Sequence, residues 1–251
     1  TEDSPTQKVG GAPASRFPQV EHLRPMLSLA NARNEDELRA WEQRLRNRLA
    51  SEGINREQLD FVVEGKIDGL AISLVYRDGK LERGVTRGNG VIGEDVTANL
   101  RTINEIPTVL PVKKPPALFE VRGEIYIRRG DFHALNEQRA EEGHATYANP
   151  RNLAAGSLRQ LDVELTASRP LALWSYGVGA VEGIDFETHS AALTQLKDWG
   201  FPVNDFEVFG GIDGVAAACH GWEQRRADLD YEIDGAVVKI DDGELMRRAG
   251  V

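Results

Sequence analysis

The sequence predicts an α+β fold of mixed, largely antiparallel sheets flanked by helices, and three observations carry that expectation. Apolar runs of strand length outnumber any regular strand-then-helix alternation, two of them are joined by the hairpin signal Asp78-Gly79, and amphipathic helical stretches fall between the others. With 251 residues and 41% apolar side chains, the chain is long enough to bury a sizeable core.

Taken in order, the first thirty or so residues carry Gly10-Gly11 and little periodicity, so residues 1–33 read as an extended arm packed on a larger body, residues 34–251. The first helix follows. Asn34 is an N-cap with Glu37 three positions on, Leu38, Trp41, Leu45 and Leu49 form one apolar stripe, and Gly53 ends it. Strands are expected over 61–63, 70–76 and 81–86, the last two as the hairpin, then over 119–127, 171–178 and Ile233–Ile240. Helices are expected over 131–142, from Pro150, over 188–199 and over 213–226.

Composition excludes several functions. A net charge of -10 argues against coating nucleic acid by bulk electrostatics, although arginines gather locally at Arg44, Arg46 and Arg48, at Arg128 and Arg129, at Arg151 and Arg159, and at Arg225 and Arg226. Cys219 is the only cysteine, which rules out an internal disulfide framework or a cysteine-rich zinc site in this chain and fits a reducing cytoplasm. No stretch approaches the length of a membrane span. The five histidines have no metal-site spacing and read as structural.

The hexapeptide Glu64-Gly65-Lys66-Ile67-Asp68-Gly69 sets a lysine between carboxylates beside strand-like runs. An ordinary lysine amine, with a pKa of about 10.4, is neutral at pH 7 only at a cost of roughly 4.6 kcal/mol, unless burial or a nearby cation intervenes. A nucleotide pocket supplies both, whereas in a plain turn the lysine would be a solvated charge. Gly88-Asn89-Gly90-Val91-Ile92-Gly93 fits the pattern of dinucleotide folds but follows a hairpin strand, so it reads as a glycine-rich turn. Arg87, just before it, is placed to reach a phosphate or ribose, with a surface arginine as the default. Glu124 alternates with apolar residues and shares a strand face with Glu120 and Arg122. Tyr176, beside Gly177, is a stacking candidate or a core aromatic, and Lys239 closes an apolar strand, where a lone lysine would snorkel to water.

In this order the segments EGKIDG, TRGNGVIGEDVTAN, EVRGE, NPRNLAAGSLRQLD, WSYGVG and DGAVVKI, with SPTQKVGG and PMLSLANA before them, resemble the adenylation domain of the bacterial NAD-dependent DNA ligases over nearly the whole chain. The resemblance implies a nucleotidyltransferase, ATP-grasp-like ligase fold. It implies that Lys66 attacks the α-phosphate of NAD, expels nicotinamide mononucleotide and carries AMP as a phosphoramidate, with Asp68 positioning or activating it. It gives Ser28, Leu29 and Val237 to the nucleotide pocket, Glu64 to the adenine amine, Arg87 and Glu124 to the ribose and phosphate region, Tyr176 to the stacking face and Lys239 to the α-phosphate. Magnesium would act with the nucleotide phosphates rather than on protein ligands, nicked duplex DNA would be the partner, and Arg151 and Arg159 would touch its backbone. A cytoplasmic, nucleoid-associated monomer is implied, with no membrane contact.

The chain departs from the family pattern at Ala30 and Asn89, where an acidic residue is usual, and at Gly65. By the same resemblance a segment recognising the nicotinamide mononucleotide half precedes Thr1, while a further catalytic lysine, an OB-fold, a zinc-binding module, helix-hairpin-helix repeats and a BRCT module follow Val251. The chain then reads as a fragment, expected to bind adenosine nucleotides, to self-adenylate poorly from NAD and not to seal nicks alone. Two rival readings differ in kind: another lysine nucleotidyltransferase, such as an ATP-dependent ligase or a capping enzyme, and a non-catalytic DNA-binding clamp.

Overall fold

Residues 16–249 are described by the computed structural model; residues 1–15 of the expected arm, and the final two positions, lie outside them. The described residues before α1 hold one short strand, β1 (Gln19–Glu21), and no helix. Helix α1 (Glu35–Ser51) begins where the Asn34 side chain accepts from the Glu37 amide at 2.9 Å, and it buries Leu38, Leu45 and Leu49. Strands β2 (Asp60–Ile67), β3 (Leu70–Arg77) and β4 (Lys80–Thr86) follow. Asp78 and Gly79, at φ of 46° and 76°, close the β3–β4 hairpin with the turn whose twist matches its strands.

The chain continues through β5 (Ile92–Glu94), the single turn α2 (Thr97–Leu100), β6 (Leu118–Ile127), α3 (Arg129–Glu141), α4 (Pro150–Leu158) and α5 (Val163–Ala167). It ends with β7 (Leu171–Glu182), α6 (His189–Asp198), β8 (Phe206–Gly210), α7 (Ile212–Arg225), β9 (Ile233–Ile240) and α8 (Gly243–Ala249). The strands form a four-stranded sheet ordered β4-β3-β6-β7, a three-stranded sheet ordered β8-β2-β9, and the pair β1-β5. Every ladder is antiparallel, so the α+β class holds. The pattern Gly88 to Gly93 links β4 to β5 and opens no helix, as a turn reading requires.

Several elements differ from expectation. Strands β1, β5 and β8 and helices α2, α5 and α8 were not anticipated, because each is too short to show a period of its own. Strand β2 runs four residues past Val63, carrying Glu64 to Ile67 within the sheet. Strand β7 likewise runs on to Glu182.

Two cores explain where these elements lie. One packs α4 and α6 on the larger sheet around Leu74, Phe119, Leu153 and Leu196. The other packs α1, α7 and α8 on the smaller sheet around Leu49, Phe61, Val215 and Trp222. Strand β2 serves both: Val62 belongs to the first core, and Phe61, Val63 and Ile67 to the second. Among the described residues no helix is long and apolar enough to cross a membrane.

Candidate active site

Because side chains alternate along a strand, Val62, Glu64 and Lys66 share one face of β2. Val62 is sealed in the core between the sheets, and two steps further on the same face opens into a cleft of about 1860 Å³. The small sheet lines the cleft from β2 and β9, the large sheet from β6 and β7, and the arm and the β4–β5 turn add to its lining. Its volume exceeds the range of about 300–1,000 Å³ usual for small-ligand pockets, which suits an extended ligand.

Lys66 donates to both carboxylate oxygens of Asp234, at 2.8 and 2.7 Å. The cause is a register shift: Gly65 pairs with Ala236 but Ile67 with Ile233, so Asp234 and Gly235 together face Lys66. The extra residue is a β-bulge, which re-aims a side chain that would otherwise point to the far side of the sheet. Asp68, the carboxylate expected to assist Lys66, is instead paired with Arg151 at 2.8 Å, and its amide donates to the Glu232 carbonyl.

The inner end of the cleft holds a second lysine. Lys239 lies opposite Val62, and Val237 lies opposite Glu64. Lys239 donates to Glu64, whose side chain is almost wholly buried, and to the Tyr176 carbonyl at 2.7 Å, and its ammonium lies 5.3 Å from the centre of the Tyr176 ring. A charge buried this deeply persists only when paired. The register sets Lys239 four residues from Lys66 along β2, about 13 Å at the 3.3 Å rise of a strand. Burial pushes the Tyr176 hydroxyl well above the usual phenol range, so the ring enters any contact neutral.

Across the cleft, Glu124 extends from β6 with Glu120 and Arg122, while Phe119, Val121 and Ile125 on the opposite face enter the core. Burial raises the Glu124 carboxyl from 4.5 to about 8, against the pull of Arg151, Lys66 and Arg87 and a hydrogen bond from the Gly69 amide. Those three cations therefore surround Glu124 closely enough to act on it. Arg159, at the end of α4, pairs with Glu94 at 2.7 Å. Both α4 arginines are half exposed, at 55% for Arg151 and 52% for Arg159, on the cleft rim. Ser28 and Leu29 are exposed on the arm and also line the cleft.

Three features escaped the sequence reading. Asp234 had no signal, since only the bulge turns it to Lys66. His189 was read as structural, yet it lines the cleft with Nε2 at 3.3 Å from Lys239 Nζ. Burial and, secondly, Lys239 hold its imidazole well below the usual range, so it stays neutral. The position of His189 directly after the capping Thr188 marks the start of α6 but not what it faces. At Gly65, named above only as a departure, a Cβ would fall 2.6 Å from Trp222 Cζ3, so the glycine leaves room for the indole beside Lys66. At the other departures, Asn89 accepts from the Val91 and Ile92 amides at 3.0 and 2.8 Å and closes the turn, while Ala30 lines the cleft without a polar group.

The family model for the NAD-dependent DNA ligase adenylation domain matches residues 14–251. A protein named DNA ligase from Rubrobacter xylanophilus is 52% identical over all of this chain and 36% of its own length. Another from Herpetosiphon aurantiacus is 49% identical over all of this chain and 37% of its own length. The chain thus spans little more than a third of these relatives. Among solved structures, a mycobacterial DNA ligase D complexed with ATP and MES aligns with a TM-score of 0.41 and 13% identity, over 73% of this chain and 49% of that one.

Proposed function

This chain belongs to the NAD-dependent DNA ligase adenylation domain family, and on that premise we propose that its cleft binds the adenosine half of NAD and that Lys66 takes the AMP. The Lys66 nitrogen attacks the α-phosphorus, the bond from that phosphorus to the nicotinamide mononucleotide oxygen breaks, and the amine proton leaves to solvent or a carboxylate. The observation that carries the reading is the sharing of one β2 face by Lys66 and Glu64, which puts a candidate nucleophile and a buried base-reading carboxylate side by side along one wall of the cleft.

Each remaining residue takes a part set by its place. Tyr176 offers the stacking face and Val237 the apolar floor opposite Glu64. Glu64 accepts from the adenine amine. Lys239, although the resemblance assigns it to the α-phosphate, shares the inner end with Glu64 and Tyr176, which favours the edge of the base. Arg87 and Glu124 address the ribose and phosphates, and Ser28 and Leu29 add to the lining. Asp68 acts through Arg151. No group of three metal-ligating side chains converges among the described residues, so a magnesium ion would be held mainly by phosphate oxygens, where it would offset their charge.

In the whole protein, AMP would pass to the 5′-phosphate of a nick in duplex DNA and the 3′-hydroxyl would displace it. Arg151 and Arg159 would exchange Asp68 and Glu94 for backbone phosphates. A cytoplasmic monomer is the simplest form, since one nick presents one site.

Calorimetric titration with AMP and GMP tests this reading. Saturable AMP binding that GMP does not reproduce, weakened by Glu64→Ala and by Tyr176→Ala, is the expected result. A preference for GMP would point to guanylyl transfer, and binding of neither nucleotide to a clamp.

A further inference from the structure

Glu120 and Arg122 lie on the cleft face of β6 just before Glu124, and the proposed function gives neither a part. Glu120 is fully buried. Its carboxylate accepts from the Ser73 hydroxyl at 2.8 Å, the Ala180 amide at 2.7 Å and Arg122 Nε at 3.2 Å. A Cβ at Gly179 would fall 2.1 Å from Glu120 Oε2 and 2.9 Å from Arg122 Nε, so the bare glycine leaves the room this pair occupies. A buried carboxylate is costly unless charge and hydrogen bonds meet it. Here three donors do, and in return the guanidinium is held in one orientation.

The outer nitrogens of that guanidinium point at the arm. Nη1 donates to the Pro25 carbonyl at 3.1 Å and Nη2 to the Arg24 carbonyl at 2.8 Å. On its other side the same stretch is tied to the turn that follows Arg87: the Met26 amide donates to the Gly90 carbonyl at 2.8 Å and the His22 amide to the Val91 carbonyl at 2.9 Å. The Met26 side chain is buried at 4% exposure, whereas Leu27, Ser28 and Leu29 directly beyond it are exposed along the cleft. A segment with so little burial has low local stability, so its few anchors decide where it lies.

We propose that Arg122 is a positioning residue: fixed by Glu120, it latches the arm at Arg24 and Pro25 along the cleft and so sets Ser28 and Leu29 against a bound adenosine nucleotide. The effect on the nucleotide rests on the proposed function; the latch itself is a property of the ligand-free chain. Lysine does not substitute, because a planar fork meets one carboxylate and two carbonyls at once and an ammonium does not.

Hydrogen exchange on the chain tests the latch with Arg122→Lys and with the double variant Glu120→Gln/Arg122→Met, which strands no buried charge. The His22 and Met26 amides, which are hydrogen-bonded to the β4–β5 turn, should exchange about tenfold faster in both, the scale of one lost charge-assisted hydrogen bond, while β6 and β7 keep their protection. Unchanged exchange in the arm overturns the latch. AMP affinity is then measured for Arg122→Lys, for Met26→Ala, which loosens the arm from its other side, and for the two combined. Each single change should weaken binding by about tenfold, and the combination should be little worse than either, since both act through one segment. Losses that simply multiply overturn the proposal, because Arg122 would then act on the nucleotide independently of the arm. If the unaltered chain binds no AMP, the nucleotide reading of the cleft fails, while the exchange result still decides the latch.

Discussion

Lys66 and Asp234 are joined through both carboxylate oxygens, at 2.8 and 2.7 Å, across a bulge that sets two residues of β9 against one of β2. The pair is half exposed, at 44% and 43%. Both oxygens engage the Lys66 nitrogen, which a nucleophilic lysine must have free to attack. In the ligand-free chain Lys66 is thus parked on Asp234, and under the proposed function a bound nucleotide would separate them.

Asp234→Asn should expose that parking. An ion pair this accessible to water is screened, so the effect is modest: Lys66 should react about two- to fivefold faster with an amine-acylating reagent near neutral pH. Peptide mapping of the acylated chain reads it, and an unchanged Lys66 rate would show that the pair does not restrain the amine.

Glu124 gives the fold a pH dependence. Unfolded, the carboxyl ionises near 4.5; folded, burial moves it to about 8. Between these values the native chain holds a proton that the unfolded chain has lost, so this group's contribution to stability falls as pH rises from 4.5 to about 8 and is level beyond. Melting temperatures across that range should show a shallower decline for Glu124→Gln, which is neutral throughout.

His189 acts in the opposite sense. Its folded pKa lies well below 6.5, so the unfolded chain takes up a proton that the native chain refuses once the pH drops below that value. Stability is therefore unaffected by this group above 6.5 and declines as pH falls beneath it. Replacing His189 by Gln should remove that acid-side loss, and the same melting series on the variant measures it.

Gly65→Ala should drive a methyl group into the Trp222 indole and cost about 1–3 kcal/mol, the usual range for overpacking a core. Trp222→Leu alone should cost about 2–5 kcal/mol through the cavity it leaves. The double variant, compared by urea denaturation, should be less destabilised than the sum, because the methyl occupies part of that cavity. Strict additivity would mean that the two residues do not share the space.

Much of the fold and part of the site were legible in the chain. The stripe of Leu38, Leu45 and Leu49, the Asn34 cap and the Asp78-Gly79 turn express local rules, and α1 and the β3–β4 hairpin follow them. In β2 the run Phe61 to Val63 was legible, but its continuation through Glu64 and Lys66, which sets both on one face, was not. The strand β8 was missed because Phe206 to Gly210 pairs only as an edge against β2 and buries little of its own. The resemblance assigns Asp68 to assist Lys66; in the ligand-free chain two strands meeting at a bulge bring Asp234, 168 residues away, to the Lys66 nitrogen.

The sequence by itself determined the secondary-structure class, the first helix, the β3–β4 hairpin and the motif order that marks the family, because period, turn chemistry and capping act over a few residues. The tertiary structure alone decided which charges meet: Lys66 with Asp234, Lys239 with Glu64 and His189, and Arg122 with Glu120 and the arm. Those pairings depend on inter-strand register and on which side chains lose water together, and both are set only when distant segments pack.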